Sequence, residues 1–184
     1  MELYYQNYYH FYNRTNNNEL AFHEQRNYLY FLQKYRKYMA PYVKTYAYCL
    51  MPTHFHFLIQ LQTQEIAKLA KNVGIFLSSY AKAINNAYNR HGSLFQQHSQ
   101  AKPVDDESYL LALINYIHQN PIRRAVVHQM ESWPFSSYLD LAGMRDGTLV
   151  TREIVDVYFP NKEDFVEYSQ VLMTEVNSKY WITK

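Results

Sequence analysis

Cysteine and glycine are almost missing from this 184-residue chain, which has one cysteine, Cys49, and four glycines, at 74, 92, 143 and 147. A lone thiol allows no internal disulfide and no cysteine zinc cluster, and it suits a reducing compartment. The four glycines complete neither G-x-G-x-x-G nor G-x-x-x-x-G-K, so a glycine-rich phosphate loop is excluded. No apolar run approaches the length of a membrane span, and the polar start at Met1-Glu2 is not that of a secretory leader. Charge is sparse too, at 18% of residues, while 48% are hydrophobic, the balance of a folded chain rather than a disordered one. The length suits one domain with a sizeable core.

Tyrosine is what the chain has in excess, 20 residues beside 10 Phe and 2 Trp. The net charge of +2 conceals a split. Residues 1–104 carry 11 Lys or Arg against 4 Asp or Glu, and residues 105–184 carry 7 against 12. A basic portion joined to an acidic one fits a surface that meets a polyanion, and equally fits unevenly spread solvated charge.

Residues 8–14 (YYHFYNR) read as an aromatic strand closed by the Asn16-Asn17-Asn18 turn. Tyr28, Phe31, Leu32, Tyr35 and Met39 recur at helical spacing, and Pro41 stops that helix. Strands are expected at 42–50 and 54–61, separated by Pro52, and a long helix at 65–90. Residues 94–104 can supply a further strand. Asp105-Asp106 offer an N-cap for a helix over 107–119, which Pro121 should end at Asn120. Further helices are expected at about 151–158 and 162–176. Strand, helix, strand, strand, helix, strand is the split βαβ pattern. The expected fold is α+β: a ferredoxin-like antiparallel sheet with helices on one face, followed by a C-terminal helical extension.

His54 and His56 lie two apart in a strand, so both imidazoles point to one face while Phe55 points to the other. Two neutral imidazoles side by side can hold a divalent cation, although the same spacing also suits a purely structural pair. Tyr116 and Asn120 are one helical turn apart on a common face. An amide oxygen can be the third ligand of a hard cation, and the phenol beside it can reach a phosphate. The plainer alternative is that Tyr116 packs beside Leu113 and Asn120 ends the helix. His118 falls on another face of that helix. Cys49 reads as a small buried residue, Trp133 as a core anchor, and Tyr4, Tyr5, Tyr8 and Tyr9 as either base-stacking or packing aromatics.

Five ordered segments carry a family resemblance: YHFYNRT (9–15), YAYCLMPTHFHFLI (46–59), GSLFQ (92–96), YIHQNPIRRAVV (116–127) and WPFSSY (133–138). The chain resembles the single-tyrosine HUH transposases, and within them the REP-associated tyrosine transposase branch. That resemblance implies a catalytic, single-stranded-DNA-binding domain over 1–130, with 131–184 a helical extension packed on it. It implies Tyr116 as nucleophile, His54, His56 and Asn120 as ligands of Mg²⁺ or Mn²⁺, and a covalent 5′-phosphotyrosine during cleavage and rejoining. The implied partner is single-stranded DNA of hairpin-forming repeats, met in the cytoplasm at the nucleoid by a monomer or homodimer, with no membrane involved. Arg14, Lys102, Arg123 and Arg124 are the candidate phosphate contacts, with solvated surface the competing reading of each. Two features depart from the family pattern. Thr53 replaces the usual Asn before the first histidine, and Gln97, His98, Ser99 and Gln100 replace a more basic run that leaves only Lys102. The second departure favours an alternative, a non-catalytic nucleic-acid-binding module derived from a transposase.

Overall fold

The aromatic run at 8–14 forms strand β1 (Tyr8–Arg14) in the computed structural model, which describes residues 3–106 and 108–171. After it come α1 (Gln25–Tyr38), β2 (Val43–Met51), β3 (His54–Leu61), α2 (Ile66–Ala87), β4 (Gln100–Val104) and α3 (Ser108–Arg123). The sheet order is β2-β3-β1-β4, and every neighbouring pair is antiparallel, the topology expected of a split βαβ chain. Short helices α4 (Tyr138–Leu141), α5 (Glu153–Tyr158) and α6 (Lys162–Gln170) complete the described chain. The end of the helix expected to run to 176 lies outside the described residues. Among the described residues no helix is long and apolar enough to cross a membrane.

Helix α1 begins where the Asn27 side-chain oxygen accepts the backbone N–H groups of His23 and Glu24, at 2.9 and 3.1 Å, which satisfies donors that no helical carbonyl can reach. Its buried stripe of Tyr28, Phe31 and Tyr35 meets Phe55 and Phe57 of β3. Tyr35 stacks on Phe57 with ring centroids 4.2 Å apart, and its hydroxyl lies 2.9 Å from the Thr45 hydroxyl. Helix α2 closes the same face with Leu69, Phe76, Tyr80 and Ile84. Gly74 does not break it, and a β-carbon there would touch nothing within 4 Å. Phe31 is fully buried among Phe22, Phe55, Phe76 and Tyr80. Phe31→Ala should therefore cost about 3–5 kcal/mol of stability in urea unfolding; a loss below 1 kcal/mol would contradict this packing.

Helices cover both faces of the sheet, not one. The reason lies in β2, whose residues are buried at both parities from Thr45 to Met51. Phe55, Phe57, Tyr48 and Leu50 serve the α1/α2 core. Ala47, Cys49, Met51 and Leu58 face the other way, against Leu110, Leu113, Ile114 and Ile117 of α3. Tyr138, Leu141, Val155 and Phe165 extend that second core. Residues 135–137 run along the free edge of β2, with Leu50 N–H donating to Phe135 O at 2.9 Å and Ser137 N–H to Tyr48 O at 2.9 Å. The WPFSSY segment thus seals one sheet edge.

Helix α3 also differs from expectation, because it continues through Pro121 to Arg123. A proline forfeits its own N–H, but the turn is carried past it by Arg124 N–H donating to Asn120 O at 3.0 Å. The chain leaves the helix at Ala125, whose φ is 53°. Across the outer side of α3, the Gln119 amide donates to the carbonyls of Ser169 and Val171, at 2.9 and 2.8 Å. The end of α6 is thereby tied to the helix that carries Tyr116.

Candidate active site

The β2–β3 hairpin turns on Pro52-Thr53, and its carbonyls are held from outside. Pro52 O accepts from Ala21 N–H at 2.7 Å, and Thr53 O from Thr15 N–H at 2.8 Å. This clamp starts β3 at His54, so strand alternation sends His54 and His56 to the α3 face. Their rings stand perpendicular with centroids 5.2 Å apart. His56 is fully buried, and His54 nearly so at 9% exposure. The Nδ1 atom of His54 lies 3.1 Å from Thr53 Oγ1, so the residue in the place of the usual Asn orients the first histidine.

The β1–β3 register sets Arg14 opposite His54 and Tyr12 opposite His56. It also brings in His10, fully buried, with Nε2 2.8 Å from Nδ1 of His56 and the two rings stacked at 5.0 Å. The other nitrogen of His56, Nε2, is buried with no hydrogen-bond partner. Burial, and secondarily the Arg124 guanidinium, lower the His54 pKa to about 4. Burial, then His10 and His54, hold His56 well below the ordinary imidazole range. Both rings are neutral at pH 7, the form that carries a free lone pair.

From the opposite side α3 supplies Tyr116 and Asn120. The Tyr116 ring stands edge-on to His56 at 5.9 Å and to His10 at 6.3 Å. Asn120, 3% exposed, donates its amide to Tyr116 O at 3.0 Å, and its side chain lies beside His54, where it partly offsets the lowering of that imidazole's pKa. With the amide nitrogen committed to the helix, the oxygen is the atom offered to the histidines. Among the described residues no group of three or more His, Cys, Asp or Glu is arranged to hold a metal ion. Asn120 offers an amide oxygen beside the neutral imidazoles of His54 and His56. The donor set fits a divalent cation.

A cavity of about 510 Å³ opens beside His54, walled by Arg14, Met51, Pro52, Arg124 and Val126. Neither guanidinium forms an ion pair among the described residues; Arg14 Nε donates to Gln96 Oε1 at 3.0 Å. The other two candidate cations are placed differently. Arg123 covers the Tyr116 ring at 5.8 Å, and Lys102, opposite His10 on β4, lies 5.7 Å from the Tyr12 ring. A larger cavity of about 870 Å³ lies between α2 and the far face of the sheet, but it reaches none of His54, His56, Tyr116 or Asn120.

His118 points away from this set. It is buried against Tyr138 and Phe165 with Nε2 2.8 Å from Ser137 Oγ, and burial lowers its pKa to about 3. Cys49 is buried, and the Trp133 indole N–H donates to Leu50 O at 3.1 Å. Tyr4 and Tyr5 are exposed, whereas Tyr9 is a core residue and unable to stack on a base. The sequence reading passed over His10. Strand parity does place it with Tyr12 and Arg14 on one face, but only the register against β3 brings it to His56.

The family profile described as "Transposase IS200 like" matches residues 3–120, a stretch that includes His54, His56, Tyr116 and Asn120. A Haemophilus influenzae protein, by description a REP-associated tyrosine transposase, is 23% identical over 104 residues. The match takes in 52% of this chain and 58% of that protein, so the chain spans little more than half the length of this relative. Among solved structures, a REP-associated tyrosine transposase bound to a REP hairpin superposes over 82% of this chain and 93% of its own, with a TM-score of 0.60 at 15% identity, a likeness of fold. With the profile covering most of its length, the chain belongs to the IS200-like transposase family.

Proposed function

We propose that this chain cleaves and rejoins single-stranded DNA through a covalent 5′-phosphotyrosine at Tyr116, beside a divalent metal, Mg²⁺ or Mn²⁺, held by His54, His56 and Asn120. The observation that carries the reading is the placement of Tyr116 edge-on to His56, with Asn120 one turn further along the same helix and its side chain beside His54. The hairpin named with the solved relative supports hairpin-forming repeat DNA as the substrate class. Tyr116 reaches His56 within one chain, so cleavage in cis would need no second subunit.

Arg14 and Arg124 flank the cavity at His54 and are suited to hold the backbone phosphates of a strand entering there. A bound cation would act as a Lewis acid on the non-bridging oxygens of the scissile phosphate. The Tyr116 hydroxyl then attacks phosphorus. The Oη–P bond forms as the P–O3′ bond breaks, the phenolic proton is lost, and the departing 3′ oxygen takes up a proton. The phosphotyrosine ester conserves the bond, so a 3′-hydroxyl can attack it, expel Tyr116 and reseal a strand without a nucleotide cofactor.

The test is incubation with hairpin oligonucleotides bearing randomised single-stranded flanks and Mn²⁺, followed by denaturing electrophoresis. A metal-dependent protein–DNA adduct is expected, and chelation should remove it. Binding with no adduct from any flank would overturn the enzymatic reading in favour of the binding module, which the cation-poor stretch from Gln97 to Gln100 favours. Binding carries its own prediction. Arg14→Ala with Arg124→Ala should weaken single-strand binding roughly tenfold and make the log–log salt dependence shallower by about 1.4, two phosphate contacts' worth. Fluorescence anisotropy across a KCl series reads both, and an unchanged slope would remove these arginines from the interface.

A further inference from the structure

We propose that His10 is a positioning residue for the metal site: it fixes His56 as the tautomer protonated at Nδ1, which leaves the Nε2 lone pair free to bind the cation. The inference rests on the reading of His54, His56 and Asn120 as metal ligands.

The argument is one of proton counting. His10 Nε2 and His56 Nδ1 face each other at 2.8 Å inside the protein, a distance that requires one hydrogen between them. Two neutral imidazoles can share that hydrogen in two ways. Either His56 Nδ1–H donates to His10 and His56 Nε2 is bare, or His10 Nε2–H donates to His56 and His56 Nε2 carries a hydrogen. Only the first leaves a lone pair on Nε2, the nitrogen that does not face His10. In both cases His56 Nε2 is a buried polar atom with no protein partner, a condition folded proteins rarely keep without a ligand. A cation completes the first arrangement and is refused by the second.

Metal-bound histidines ordinarily donate their second N–H to a carboxylate, a backbone carbonyl or water. An imidazole in that place has a distinct consequence, because it orients the ligand without adding negative charge. None of His54, His56, Asn120 and His10 carries a negative charge, and a bound cation would keep its full charge for an anionic phosphate. The stacking of His10 on His56, with Tyr116 edge-on to both, makes the pair one rigid floor beneath the tyrosine ring.

The tautomer can be read directly in the wild-type protein. In ¹⁵N-histidine-labelled, metal-free protein, long-range ¹H–¹⁵N correlations should show His56 protonated at Nδ1 and bare at Nε2; the reverse pattern overturns the proposal. Variants test the consequence. His10→Gln supplies an acceptor oxygen to Nδ1–H, and His10→Phe keeps a ring but offers none. His10→Phe should weaken Mn²⁺ binding, measured by calorimetry and by Co²⁺ visible absorption, roughly 10–100-fold, while near-ultraviolet circular dichroism stays native. His10→Gln should stay within about threefold of wild type by the same measure. Wild-type affinity in His10→Phe, or equal losses in both variants, would overturn the proposal. Wild-type protein that takes up no Mn²⁺ or Co²⁺ would instead bring down the metal reading on which it rests.

Discussion

Tyr116→Phe is expected to abolish the covalent adduct while leaving DNA binding within about threefold. Removal of the nucleophile from a chain whose remaining groups act only around it should cost roughly a thousandfold or more in cleavage. The substitution is conservative for the fold, because the phenyl ring keeps its edge-on contacts with His56 and His10 and its place beneath Arg123. A rival exists in Tyr12, whose ring lies 4.7 Å from His10 and 6.0 Å from His56. Tyr12→Phe should therefore be tested alongside and should leave the adduct in place. An adduct that survives Tyr116→Phe and disappears in Tyr12→Phe would transfer the nucleophile from the helix to the strand.

The second large effect is on stability in acid. His54, His56 and His118 are buried as neutral imidazoles, with the pKa at about 4 for His54, about 3 for His118 and well below the ordinary range for His56, all chiefly through burial. In the unfolded chain each titrates near 6.5. The folded state therefore binds fewer protons than the unfolded state wherever the pH lies below that value. Stability is fully present above pH 6.5 and is lost as the pH falls towards the folded-state values. By pH 5, His54 and His118 should each have cost on the order of 2 kcal/mol. For a domain of this size the two together correspond to a fall in Tm of roughly 10 °C between pH 7 and pH 5. The measurement is thermal unfolding of chelator-treated protein across that range. A flat Tm would mean that these rings are solvated or already charged in the native state.

Much of the site was legible before the fold was known, because it depends on local periodicity. Strand alternation alone puts His54 and His56 on one side, and the helical repeat alone puts Asn120 beneath Tyr116. What the sequence could not reveal is set by pairing between distant segments. His10 becomes His56's partner only through the β1–β3 register, and Arg124 reaches the cavity at His54 only because α3 runs past Pro121. The one-sided arrangement of helices failed for a related reason. Cys49 and Met51 look like ordinary strand residues, and nothing local says that the face they share with the two histidines is covered by α3.

The hydrogen bonds from Gln119 to Ser169 and Val171 have a mechanical consequence. They tie α3 to the end of α6, while Leu113, Ile114 and Ile117 lock it to the sheet, so Tyr116 sits on a beam fixed along its length. Under the proposed mechanism, a nucleophile mounted in this way would not travel. Cleavage and resealing would then occur at a single point in space, and the moving part of the cycle would be the DNA. The freed 3′ end would reverse the reaction if it stayed and commit the strand to exchange if it left.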